Sequence, residues 1–111
     1  MEHIDQQALA TLKDVMEDDF TLLVHTFLQD SESRLKILND LVAIPEADSL
    51  RRTAHSFKGS CSNVGAPLLA SYCAELEKKG LNQDFTNLQS HLDKISKEYE
   101  QVKNLLLAQL P

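Results

Sequence analysis

The sequence predicts an all-α protein, an antiparallel four-helix bundle with a short additional helix at its N-terminus. Apolar residues recur at steps of three and four along stretches rich in Leu, Ala, Glu, Gln and Lys, which are residues that favour helix. No stretch alternates between apolar and polar residues with a period of two, so no strand is expected. Short breaks separate the helical stretches, and short connections favour antiparallel neighbours in a bundle.

The first two helices are expected at about residues 5–16 and 19–42. Asp5 is a suitable N-cap for the first helix. The acidic residues 17–19 suit the N-terminus of the second helix, where the helix dipole favours negative charge. The apolar stripe of the second helix runs through Phe20, Leu23, Val24, Phe27, Leu28, Ser31, Leu35 and Leu38. Four longer helices complete a bundle, so the first helix is expected to form a lid or an extension.

The remaining helices are expected at about residues 46–64, 67–79 and 84–109. Gly65 suits the position just after a helix C-terminus, and Pro67 suits the first turn of the next helix. Gly80 is expected to stop the fourth helix, and Asp84 is expected to cap the fifth. The whole chain, residues 1–111, is therefore expected to form a single domain.

Composition excludes several classes of function. The formal net charge is −6, which disfavours a nucleic-acid partner because such a partner needs a basic face. No apolar run approaches the ~20 residues of a membrane span and no leader is evident, so a cytoplasmic protein without a membrane partner is expected. Cys61 and Cys73 are expected to be unbridged core thiols at different heights on adjacent helices. No paired metal-ligand motif is present, so no metal site is expected.

The third helix carries the residues that indicate chemistry. Each helical residue turns by ~100°, so the apolar stripe through Ala54 and Phe57 places His55 about 130° from the buried side, facing water. Gly59 lies one turn further along the same face, where an interior glycine costs ~1 kcal/mol relative to alanine. A missing side chain there leaves clearance for a partner to approach the imidazole. Lys58 lies on the same side, and its ammonium could neutralise a phosphoryl group on the ring.

Simpler interpretations of these residues remain open. A histidine on a helix surface is usually just solvated, and a single lysine beside it would be an ordinary surface charge. Gly59 could instead end the third helix and leave residues 60–65 as a loop, although Cys61 and Val64 continue the apolar stripe. The combination of an outward histidine, a lysine three residues later and a glycine four residues later is more specific than any one of them.

The residues around His55 resemble the signature of histidine phosphotransfer (HPt) domains. The resemblance lies in His55-Ser56-Phe57-Lys58-Gly59-Ser60, then Asn63-Val64-Gly65-Ala66, then Leu69, Cys73 and Leu76-Glu77, and it extends to Ile4-Asp5 and Phe27-Leu28-Gln29-Asp30. It implies that His55 is phosphorylated, that Lys58 assists electrostatically and that Gly59 permits docking. Further candidates for binding are Arg51 and Arg52, which make this face locally positive, and Ser62.

The resemblance also implies a role in a phosphorelay. His55 would accept a phosphoryl group from the receiver domain of a hybrid sensor kinase and pass it to the receiver domain of a response regulator. The catalytic aspartate and the magnesium ion would belong to the receiver, so this chain is expected to be a carrier without cofactor or turnover of its own, and a monomer. Members of the family often place a polar second-helix side chain near the histidine, which the sequence does not identify here. The alternative is an adaptor that binds receivers or another partner without accepting phosphate.

Overall fold

The computed structural model describes all residues, 1–111, and consists of five helices and no strand. The helices are α1 (Gln6–Met16), α2 (Asp19–Ala43), α3 (Ala47–Asn63), α4 (Pro67–Leu81) and α5 (Leu88–Leu107). Helices α2 to α5 form the bundle, in which α3 and α4 pack together most extensively, and α1 packs against α2. The predicted fold class is therefore confirmed. None of the helices combines the length and the apolar character needed to cross a membrane.

Several helix ends follow the predicted capping chemistry. The Asp5 carboxylate accepts a hydrogen bond from the backbone N–H of Ala8 at 3.0 Å and so caps α1. Glu46, which was not predicted as a cap, also caps α3 by accepting from two backbone N–H groups of its first turn, at 3.1 Å each. After α3, Gly65 has φ of +75°, a conformation that glycine adopts without strain. Pro67 then occupies the first position of α4.

The predicted end of α4 was wrong, because Gly80 lies inside the helix and does not terminate it. The helix continues to Leu81, and Gly80 is buried. A Cβ at position 80 would lie 2.7 Å from the backbone nitrogen of Arg51 and 2.8 Å from its Cα. Glycine is therefore required here for the close approach of α4 to α3, and not for a turn.

The predicted start of α5 was also wrong. Asp84 does not cap the helix, because its carboxylate accepts from the backbone N–H of Thr86 at 2.9 Å and from the Thr86 hydroxyl at 2.6 Å. This local side-chain bonding competes with helix, and residues 84–87 lie outside the helix. The helix begins at Leu88, preceded by Asn87 in the left-handed conformation with φ of +56°, and it ends at Leu107.

The core is a single cluster formed by the predicted apolar stripes. In α3 and α5 this cluster contains the fully or nearly fully buried residues Leu50, Ala54, Phe57, Cys61, Leu92, Ile95, Tyr99, Val102 and Leu106. Cys61 and Cys73 are both buried and unbridged, as expected. The Cys73 thiol and burial together raise the pKa of Cys61 well above its usual range.

Candidate functional site

His55 stands near the middle of α3 with 65% of its side chain exposed, as the apolar stripe predicted. The helix runs without interruption from Ala47 to Asn63, so Gly59 is an interior residue and the alternative in which it ended the helix is wrong. A Cβ at position 59 would meet no atom within 4 Å. The surface beside the imidazole is therefore open.

A carboxylate from α4 binds both His55 and Lys58. Nδ1 of His55 lies 2.7 Å from Oε2 of Glu77, and the Lys58 ammonium donates to Oε1 of the same group at 2.5 Å. The Glu77 side chain is only 16% exposed. The hydrogen bond from Lys58, and secondarily that from His55, lowers the pKa of Glu77, so the carboxylate is ionised at neutral pH. The three side chains form one cluster across the α3–α4 interface.

The Glu77 contact distinguishes the two nitrogens of the His55 ring. A carboxylate only accepts hydrogen bonds when ionised, so the neutral imidazole bonded to it carries its proton on Nδ1. Nε2 then keeps its lone pair, on a ring that is mostly exposed to solvent. An outward nitrogen lone pair with a fixed orientation can act as a nucleophile.

The other predicted binding residues lie near this cluster but outside it. Arg51 and Arg52 both bind the carboxylate of Asp48 at 2.9 Å, so part of the expected positive charge is neutralised within α3. Ser62 is exposed and lies seven residues after His55, which returns it to nearly the same face about two turns away. Its predicted binding role, like those of the two arginines, stays a prediction.

Sequence reasoning missed two residues that the structure brings to this region. Glu77 stood in the motif without a role, because only the packing of α4 on α3 joins it to residues 19 and 22 positions away. Arg34 of α2 reaches a neighbouring face of α3, where its Nη1 donates to Oγ of Ser60 at 2.9 Å. No group of three or more His, Cys, Asp or Glu side chains comes together in a way that could hold a metal ion.

A helical bundle in which an exposed histidine is bound by a carboxylate and flanked by a lysine matches a known family. The family model of the Hpt domain matches residues 22–105. The match covers most of the chain, so the chain belongs to the Hpt domain family, and the resemblance seen in the sequence is confirmed.

Individual relatives agree with this assignment. The chain is 28% identical over 85 residues to the phosphorelay protein LuxU of Vibrio vulnificus, in strains YJ016 and CMCP6, covering 76% of this chain and 74% of that protein. It is also similar to the crystal structure of histidine-containing phosphotransfer protein B (HptB) from Pseudomonas aeruginosa PAO1. That match has a TM-score of 0.92 at 40% identity, and it covers 96% of this chain and 93% of the other.

Proposed function

We propose that this chain carries a phosphoryl group on Nε2 of His55 between the receiver domains of a phosphorelay. It accepts the group from the receiver of a hybrid sensor kinase and passes it to the receiver of a response regulator. The observation that carries this proposal is an exposed imidazole whose Nδ1 is bound to the Glu77 carboxylate. Membership of the Hpt family and the likeness to a phosphorelay protein and a phosphotransfer protein support histidine phosphotransfer in phosphorelay signalling.

The transfer step follows from the orientation of the ring. The Nε2 lone pair attacks the phosphorus of the receiver's aspartyl phosphate, a P–N bond forms, and the P–O bond breaks so that the aspartate leaves as a carboxylate. The ring keeps its proton on Nδ1 and therefore gains positive charge as the bond forms. Glu77, 2.7 Å from that nitrogen, stabilises this charge and holds the ring in place. The reverse step delivers the group to the next receiver.

Lys58 supplies positive charge beside the reacting ring. Because Lys58 and His55 bind the two oxygens of one carboxylate, the ammonium is held next to the imidazole. There it offsets the charge of the phosphoryl oxygens, since phosphoryl transfer depends mainly on positioning and charge stabilisation. Gly59 leaves the room in which the receiver brings its phosphate to the ring.

The chain acts as a carrier and depends on the receiver for the rest of the chemistry. The receiver contributes the aspartate and the Mg²⁺ ion that it binds, and this chain contributes a nucleophile, a carboxylate and one cation. Such a set gives little phosphate turnover by itself. We further propose that the carrier acts as a monomer, because each transfer requires only one exposed histidine face. We propose the cytoplasm as its location.

Transfer of label from phosphorylated receivers tests this function. The purified chain is mixed with a panel of phosphorylated receiver domains and Mg²⁺, and acid-labile, alkali-stable label on the chain is followed. We expect label on the wild type and on His25→Gln, a control at another exposed histidine, but none on His55→Gln. If receivers bind the wild type without labelling it, that result would contradict the proposed carrier function and favour the adaptor function.

A further inference from the structure

A groove between α2 and α3 lies beside the His55 face. Its volume is about 320 Å³, and it is lined by Arg34, Ile37, Ser49, Arg52, Thr53 and Ser56. Most of these side chains carry hydroxyl or guanidinium groups, and Ile37 is the one apolar member, with 45% of its surface exposed. The groove is therefore open, polar and cationic in a chain whose net charge is −6.

Arg34 gives the groove a charge that the protein itself does not neutralise. The chain has three arginines, and the other two share the Asp48 carboxylate. Arg34 instead donates to the hydroxyl of Ser60 at 2.9 Å and makes no ion pair. Its side chain is half-buried, so its guanidinium is held in place. A guanidinium in such a position retains the capacity to bind a carboxylate through two parallel hydrogen bonds.

The open side of His55 faces this groove. From His55 to Gly59 the helix turns about 40° toward Ser56 and Ser60, which face α2. From His55 to Lys58 it turns about 60° the other way, toward Glu77 on α4. A side chain is missing only on the α2 side, because position 59 has open space around it. A partner that docks over His55 therefore meets the least steric obstruction above Gly59. The edge of that partner then reaches the groove between α2 and α3.

We infer that the groove binds an acidic edge of the receiver domain and is the part of the docking surface that selects the partner. This inference rests on the proposed function. A receiver that holds Mg²⁺ at its phosphorylated aspartate needs several oxygen ligands, so the face it presents to His55 is acidic. Arg34 and Arg52 complement that charge, and Ile37 packs against an apolar side chain on the receiver's rim. Chemistry and recognition are then divided between the two sides of His55.

Binding and transfer measured separately test the groove. A receiver is titrated against the wild type, Arg34→Gln, Arg34→Glu and Ile37→Asp, and transfer is also measured at saturating receiver. We expect Arg34→Gln to weaken binding about tenfold, with a larger loss for Arg34→Glu and a severalfold loss for Ile37→Asp. The transfer rate at saturation should stay within about twofold, because the His55–Glu77–Lys58 cluster is untouched. Lys36→Glu, an equal charge change on the opposite face of α2, should bind as the wild type does.

The outcomes separate this inference from the proposed function. If the Arg34 and Ile37 variants bind the receiver as tightly as the wild type, the groove is not a docking site. This conclusion would hold even if His55 accepts label from the receiver. Failure of every receiver to label the wild type would contradict the proposed function, and the binding titrations would still decide the groove. Ile37→Asp leaves Arg34 in place and adds a carboxylate one turn away that neutralises its guanidinium, so it tests the same groove if the Arg34 variants fold poorly. Self-association of the wild type that Ile37→Asp abolishes would assign the groove to a second copy and contradict the inference.

Discussion

Replacing Gly59 should make the protein more stable and less active. A helix-interior glycine is about 1 kcal/mol less favourable than alanine, and position 59 lies within α3 with no atom within 4 Å of the added Cβ. Gly59→Ala should therefore raise the free energy of unfolding by about 1 kcal/mol, which corresponds to a rise in Tm of roughly 4 °C for a domain of this size. Gly59→Gln should keep about half of that gain, since glutamine is also a good helix former.

The loss of activity should grow with the size of the new side chain. Alanine adds one methyl group to the surface over which the receiver approaches, whereas glutamine projects well above the helix beside the imidazole. We expect a modest slowing of transfer for Gly59→Ala and near-complete loss for Gly59→Gln. Thermal unfolding and urea titration measure stability, and the rate of label transfer from a phosphorylated receiver measures function.

Each half of this prediction can be refuted independently. A lower Tm for Gly59→Ala would mean that position 59 is not open space within a regular helix. Normal transfer by Gly59→Gln would refute the role of clearance at Gly59, because the longer side chain would then stand in the receiver's path without effect.

Three further substitutions test other contacts. Gly80→Ala should lower the free energy of unfolding by about 1–3 kcal/mol in urea titrations, since its Cβ would lie 2.7 Å from the Arg51 backbone, and unchanged stability would contradict that close approach. Tyr99→Phe removes the 2.7 Å hydrogen bond to Glu32 and should cost about 0.5–1.5 kcal/mol by the same assay, with no loss counting against the bond. The pKa of Glu77 is lowered, chiefly by the ammonium it binds, so this carboxyl contributes stability above its ordinary value of 4.5 and loses it as pH falls through the lower folded value. Glu77→Gln should therefore show a flatter decline in stability below about pH 4.5 than the wild type, and parallel curves would be the contrary result.

Local sequence patterns were sufficient to predict the fold and failed at two helix ends. Periodicity located all five helices, and the caps at Asp5, Gly65 and Pro67 followed from their residue types. The errors came from residues whose type is compatible with two different structural roles. Gly80 was interpreted as a stop, although its missing side chain serves the contact between two helices. Asp84 was interpreted as a helix cap, although it bonds within its own turn.

The part of the site that lies on α3 could be predicted from the sequence. The outward position of His55 and the neighbouring Lys58 and Gly59 follow from a rotation of ~100° per residue in α3. The contributions of Glu77 and Arg34 do not, because they lie on other helices and depend on the register of α4 and α2 against α3. Sequence spacing gives no measure of that register, whereas the packed bundle fixes it.

Identifying the phosphorylated atom tests the central claim most directly. The isotope-labelled chain is phosphorylated by a receiver domain with Mg²⁺, and NMR of the imidazole nitrogens shows which residue and which nitrogen carries the phosphoryl group. With Nδ1 of His55 bound to Glu77, the phosphoryl group should appear on Nε2 of His55 and nowhere else. A phosphoryl group on Nδ1, on another residue, or no phosphohistidine in a chain that binds the receiver would contradict the account.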